Sequence, residues 1–164
     1  MTAVSNSSVL IALSSVGLLI LLREKCPEGI VIPDAVWREV VEEGGNRPGA
    51  REVAAAPWIA RQAPRDQRLV RLLRMELDAG EAEAIALAHE IGASVVLLDE
   101  KDARRVAERL GLRVVGTVGI LVWAKRVGKI ESLKQVREAL DQQARFRLSD
   151  ALWDRALREV GESS

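Results

Sequence analysis

Short apolar, β-branched runs alternate with longer amphipathic stretches along the chain. Ala3-Val4-Ser5 reads as a first strand, and the polar turn Asn6-Ser7-Ser8 caps a helix from Val9. Gly17 interrupts that helix, and a second apolar segment runs to about Glu24. After the turn Pro27-Glu28-Gly29, the run Ile30-Val31-Ile32 has the composition of a fully buried strand. Pro33-Asp34 opens a helix with Val36, Trp37, Val40 and Val41 on one face, and Gly44 to Gly49 form a loop. A short helix follows, then an edge strand at Trp58-Ile59-Ala60 and helices over 65–75 and 78–91. Ser94 to Leu98 is the strongest strand signal, ending abruptly at Asp99-Glu100, where a helix to Leu110 begins. Arg113-Val114-Val115 forms the last strand, Gly116-Thr117 leads into the helix Val118–Arg126, and segments from Ile130 and Asp150 form helices packed outside the sheet.

Strands and helices alternating in units of roughly 25–35 residues predict parallel β/α/β construction in a layered α/β fold. The 164 residues, 48% apolar, suffice for one core, so a single domain over 1–164 is expected, with its centre at about 3–130 and C-terminal helices over 131–160. The apolar stretch Val9–Leu22 has no basic residue before it, is broken by Ser14, Ser15 and Gly17, and is shorter than the roughly 20 residues of a membrane span. It is expected to be buried structure. No membrane association is anticipated.

Charge narrows the functional classes. With 24 basic and 24 acidic residues, nothing global attracts a polyanion, so a nucleic-acid site must come from local charge or bound metal. The single cysteine, Cys26, excludes an internal disulfide and a Cys-rich zinc site and fits a reducing cytoplasm. Arg61, Arg65, Arg68, Arg71 and Arg74 form the densest basic stretch. Their spacing drifts around a helix, which favours a solvated face over a phosphate-binding row. His89 has no partner pattern, and Gly116-Thr117-Val118-Gly119 matches no phosphate loop.

Ligands of open parallel sheets gather beyond the carboxyl ends of the strands, which directs attention to Asn6-Ser7-Ser8, Asp34, Asp99-Glu100 and Gly116-Thr117. Asp99 either serves a site there or caps the helix after it. Glu81 lies on the apolar face of its helix with Leu77, Ala84, Ile85 and Ala88; it also completes a capping box with Asp78. Glu83 faces the side shared with Glu90 and is expected in solvent, and Glu39 borders an apolar face beside Val40. Acids from three separate segments at one sheet edge would make an oxygen-rich pocket suited to Mg²⁺ or Mn²⁺.

The ordered set Ala3 to Leu13, Ile32-Pro33 with Val36 to Val40, Gly80-Glu81-Ala82-Glu83-Ala84-Ile85, Leu97-Leu98-Asp99-Glu100-Lys101 with Ala103-Arg104, and Val115-Gly116-Thr117-Val118-Gly119 resembles PIN-domain proteins, in a branch related to the toxins of VapBC-type toxin–antitoxin pairs. The likeness runs from about Val4 to Ile130. It implies an α/β/α sandwich with a five-stranded parallel sheet in the order 3-2-1-4-5 and a metal-dependent ribonuclease site that uses Mg²⁺ or Mn²⁺ on RNA. Asn6 takes the first acidic position and Glu39 the second. Glu81 takes the third, with Glu83 as the alternative; Asp99 or Glu100 takes the fourth, with Asp102 the weaker option. Ser8 and Thr117 match hydroxyl positions able to bond a ligand water or a phosphate. A homodimer and a small antitoxin partner are further implications. Asn at position 6, where nucleases of this kind usually have Asp, removes one negative charge and opens a second reading, a PIN-like binding module without turnover. A flavodoxin-like nucleotide binder is the third reading, and it lacks a phosphate loop.

Overall fold

The computed structural model describes residues 2–143 and 146–163. The end positions 1 and 164 of the expected domain, and positions 144–145 of its expected C-terminal helical region, lie outside the described residues. The order of elements is β1 (Ala3–Ser5), α1 (Ser7–Ser15), α2 (Ile20–Lys25), β2 (Ile30–Ile32) and α3 (Asp34–Trp37), which continues into a π-helical turn (Arg38–Glu42). Then come α4 (Ala50–Ala54), β3 (Ile59–Arg61), α5 (Gln67–Leu73), α6 (Ala79–Ile91), β4 (Val95–Leu97) and α7 (Lys101–Arg109). β5 (Val114–Val115), α8 (Thr117–Arg126), α9 (Leu133–Asp141) and α10 (Asp150–Glu159) complete the chain.

All strand pairings are parallel, and the order is β3-β2-β1-β4-β5, as the resemblance implies. β1 is central, with Ala3 opposite both Ile30 and Val95. Side chains alternate across a sheet, so each strand feeds two cores. Ala3, Val95 and Leu97 pack with Leu10, Leu13, Leu121 and Trp153 on one face. Val4, Val96 and Leu98 pack with Ile85, Leu87 and Ala103 on the other. The helices thus form two outer layers, and the C-terminal pair joins the first of them through Leu133, Leu140 and Leu157. Among the described residues no helix is long and apolar enough to cross a membrane.

Boundaries differ from the expectation where backbone partners decide them. α1 starts at Ser7, two residues early, because Asn6 already extends the β1 ladder by donating its N–H to Leu97 O at 3.0 Å. α5 is shorter than 65–75: Asp66 caps it by accepting from Leu69 N, while Glu90 Oε1 holds the N–H groups of Arg65 and Asp66 at 2.8 and 2.9 Å outside the helix. The π-helical turn is closed by Glu43 N donating to Arg38 O at 2.8 Å, a bond across five residues that widens the turn carrying Glu39.

Candidate functional site

The carboxyl ends of β1 and β4 open onto a cavity of about 640 Å³. Asn6, Ser7 and Ser8 enter it from the β1–α1 junction, Glu39 from the π-helical turn, Asp78 and Glu81 from the start of α6, and Asp99 and Glu100 from the end of β4. Arg47 of the following loop, with Phe146 and Arg147 of the segment before α10, completes the rim. Five of the expected positions, Asn6, Glu39, Glu81, Asp99 and Glu100, therefore share one space with Ser8.

Each arrives by a local cause. Asn6 sits at the N-cap of α1 in extended conformation without making a side-chain cap bond, so its buried amide is left to the cavity. Gly80 lies beneath it: a Cβ there would sit 2.9 Å from Asn6 Oδ1 and 3.5 Å from Glu39 Oε2. Only glycine leaves room for those two oxygens to approach the same point on α6. Glu81 closes the expected capping box, its N–H donating to Asp78 Oδ1 at 2.8 Å and its Oε1 accepting from Asp78 N at 3.2 Å, and it still lines the cavity. The capping and site readings describe one side chain.

One of the two readings of Asp99 is overturned. Asp99 does not cap the helix after it; Glu100 does, with Oε2 accepting from Ala103 N at 2.9 Å. The extended backbone continues past β4, which moves the cap one residue on. Asp99 instead bonds the start of α8, Oδ1 accepting from Thr117 N and Oδ2 from Thr117 Oγ1, both at 2.7 Å. The Thr117 hydroxyl, expected to meet a ligand, thus donates to Asp99. Arg104 donates to Leu98 O at 2.8 Å and lies near Asp99. Gly116 has no space for a side chain, since a Cβ would stand 2.7 Å from Arg104 Nη1 and 2.8 Å from Asp99 Oδ1.

Other candidates lie elsewhere. Glu83, the alternative third acid, is neither at the cavity nor loose in solvent: two positions from Glu81 it points across α6, and its Oε1 accepts from Ala35 N at 3.1 Å. Asp102 is exposed beside Arg105, and Asp34 pairs with Arg61 at 2.8 Å. The exposed arginines of α5, Arg68 and Arg71, do not line the cavity. Sequence reading missed Asp78 as a lining residue, the clearance at Gly80, and Arg47. A glycine in the first turn of a helix, where it weakens the helix, was the available signal for Gly80.

Burial dominates the electrostatics. It raises the Glu81 carboxyl to about 7, with Asp78 and Glu100 adding repulsion. It also raises Glu39, against the nearby Ser7 hydroxyl and with Asp78 and Glu43 reinforcing it. Asp99 is raised by burial too, opposed by both Thr117 donors, Arg104 and Ser8. Ser7 and Ser8 lie near these acids, yet their buried hydroxyl oxygens close no hydrogen bond of good geometry among the described residues. Repelling carboxyls and unpartnered hydroxyls are the state that a cation and its waters would relieve.

Among the described residues no three Asp, Glu, His or Cys side chains converge as a ready-made cage for a metal ion. The donor set is nonetheless all oxygen, and Mg²⁺ is commonly held by one or two carboxylates and several waters. Such an ion fits this open arrangement. Zinc, which favours histidine and thiolate ligands, does not.

Residues 2–162 match a protein-family model described as PIN domain. No curated protein matches the chain.

Proposed function

The chain belongs to the PIN-domain family, and from that premise we propose that it is a metal-dependent ribonuclease that hydrolyses RNA phosphodiester bonds. One observation carries the reading: oxygens from four separate segments, Asn6, Glu39, Glu81 and Asp99, line one cavity beyond the carboxyl ends of the parallel sheet. Glu39 and Asp99 would hold Mg²⁺ or Mn²⁺, with Asn6 as a neutral oxygen donor and Glu81 and Glu100 completing the acidic wall. Bound there, the ion supplies charge stabilisation for the phosphodiester and a more acidic water. The chain's own contribution is positioning. Thr117 fixes the Asp99 carboxylate, Gly80 admits the Asn6 and Glu39 oxygens, and the Ser7 and Ser8 hydroxyls lie buried beside Glu39 and Asp99.

Purified protein is expected to cleave RNA with Mn²⁺ and to lose that activity in EDTA and in Asp99→Asn; cleavage indifferent to both would remove the mechanism. The resemblance to VapBC-type toxins adds two parts to the proposal, a homodimer and a small inhibitory protein. Light scattering tests the first, and co-purification with the product of an adjacent gene tests the second.

A second reading, a binding module with weak or no turnover, is favoured by the neutral Asn6 together with acids that burial drives toward protonation. Asn6→Asp separates the two. A gain in Mn²⁺ affinity and cleavage identifies an attenuated nuclease, and no change in either identifies a binding module.

A further inference from the structure

A second cleft, of about 370 Å³, lies against the cavity. Its walls are Ser14 and Ser15 at the end of α1, Asn46, Arg47 and Pro48 of the loop before α4, and Arg51 and Glu52 of α4. Ser15, Arg47 and Pro48 line both spaces, so the cleft continues the cavity. We propose that this cleft is a phosphate subsite for the RNA strand leading away from the scissile bond, with Arg47 and Arg51 as its binding residues. The inference rests on the ribonuclease reading and gives its substrate a direction across the surface.

Four observations support it. Arg47 and Arg51 are exposed, and among the described residues neither has a carboxylate partner; Arg68 and Arg71 are exposed too, but of these four only Arg47 and Arg51 line the cleft. Glu52, the one acid in the cleft, is already engaged, its Oε2 accepting from Gly49 N at 3.0 Å. Ser14 lines the cleft at 9% exposure, and its Oγ, buried beneath the wall, has no hydrogen-bond partner among the described residues. Gly49, at φ 101°, makes the turn that sets Arg47 and Arg51 on either side of it.

The end of α1 opposes an anion, because helix C-termini carry partial negative charge. That effect is the smaller one here. The Ser14 carbonyl is bonded by Gly17 N at 3.1 Å, and about half a charge there, together with the Glu52 carboxylate, faces two full guanidinium charges. A guanidinium fork matches phosphate oxygens better than a point charge does, so the chemistry selects a phosphodiester.

The test measures binding of a fluorescent single-stranded oligoribonucleotide to the wild-type chain held in EDTA, across a salt series. Each phosphate contact on a single strand contributes about 0.7 to the slope of log affinity against log salt. Arg47→Ala with Arg51→Ala should therefore flatten the slope by about 1.4 and weaken binding at least tenfold at low salt. Arg47→Lys with Arg51→Lys should restore most of the slope. Arg68→Ala with Arg71→Ala on α5 should leave it unchanged. With Mn²⁺, the alanine pair should raise KM at nearly constant kcat.

If the wild-type chain cleaves RNA while the alanine pair keeps both slope and KM, the subsite is overturned and the nuclease reading stands. If the chain binds RNA with an arginine-dependent slope and never cleaves it, the nuclease reading falls and Arg47 and Arg51 stand as an RNA phosphate site without a scissile bond beside it. Absence of oligoribonucleotide binding overturns the subsite.

Discussion

The two walls of the cavity are built on opposite principles. At the end of β4, Asp99 is clamped, both oxygens held at 2.7 Å by Thr117, with Arg104 bracing the adjacent Leu98 carbonyl and Gly116 allowing no slack. At the end of β1, the Asn6 amide and the Glu39 carboxylate make no hydrogen bond of good geometry among the described residues, and Glu39 is exposed on a widened turn. The clamped side chain holds the fold as well as the proposed site; the side chains of the open wall add no hydrogen bond to the fold. Stability and activity should therefore respond independently to changes on the two sides.

The largest separation is expected between Asp99→Ala and Glu39→Gln. Asp99→Ala removes two charge-assisted bonds from the start of α8 and should cost on the order of 2–3 kcal/mol, read by urea unfolding, as well as abolishing cleavage. Glu39→Gln should lower cleavage at least as severely while leaving stability unchanged or slightly raised, because its carboxyl closes no bond and burial pushes it up. Equal stability losses in the two variants would dissolve the distinction between the walls.

Glu81 lies between them and reports through pH. Its folded carboxyl is raised to about 7, so between its ordinary value and 7 the unfolded chain has released a proton that the native chain keeps. Stability contributed by this group is complete at low pH and is lost as pH rises through about 7. In EDTA, Glu81→Gln should remove that loss and make the protein more stable above neutral pH, by on the order of 1–3 kcal/mol. Gln keeps an oxygen for the Asp78 N–H, so the cap survives. Added Mn²⁺ should raise the Tm of both proteins, because Glu39 and Asp99 remain, and by less in the variant, which lacks one charge of the acidic wall. A thermal-shift series from pH 5 to 8.5 decides it, and parallel curves for the two proteins would refute the assignment.

Gly80→Ala is the smallest change and the most diagnostic of the open wall. Alanine favours the helix by about 0.5–1 kcal/mol, but its Cβ displaces the Asn6 amide. The expected outcome is unchanged or slightly higher Tm with cleavage reduced several-fold. Unaltered kinetics would mean that the Asn6 oxygen does not matter.

Much of the frame was legible because parallel strands buried on both faces leave unmistakable β-branched runs, as at Ile30-Val31-Ile32 and Val95-Val96-Leu97. The strand order came from the motif resemblance, since no local pattern encodes which strand is central. Helical spacing separated Glu81 from Glu83 correctly in direction but not in fate: Glu83 and Glu90 bond the backbones of α3 and of the segment before α5. Those are contacts between elements distant in sequence, invisible to periodicity. The same limit hid the role of Asp99, whose partner Thr117 lies a full β/α unit away. Arg47 escaped notice because a glycine-rich loop announces a turn without saying what the turn faces.

The π-helical turn at Arg38–Glu42 holds one residue more than an α-helical turn would need. Shortening the chain by a single position there would let the segment rewind to ordinary pitch, swinging the acid about the helix axis while β2 and α4 keep their places. Changes in length at this wall, more than exchanges of one side chain for another, are thus the direct route by which descendants of this sequence could re-aim the pocket.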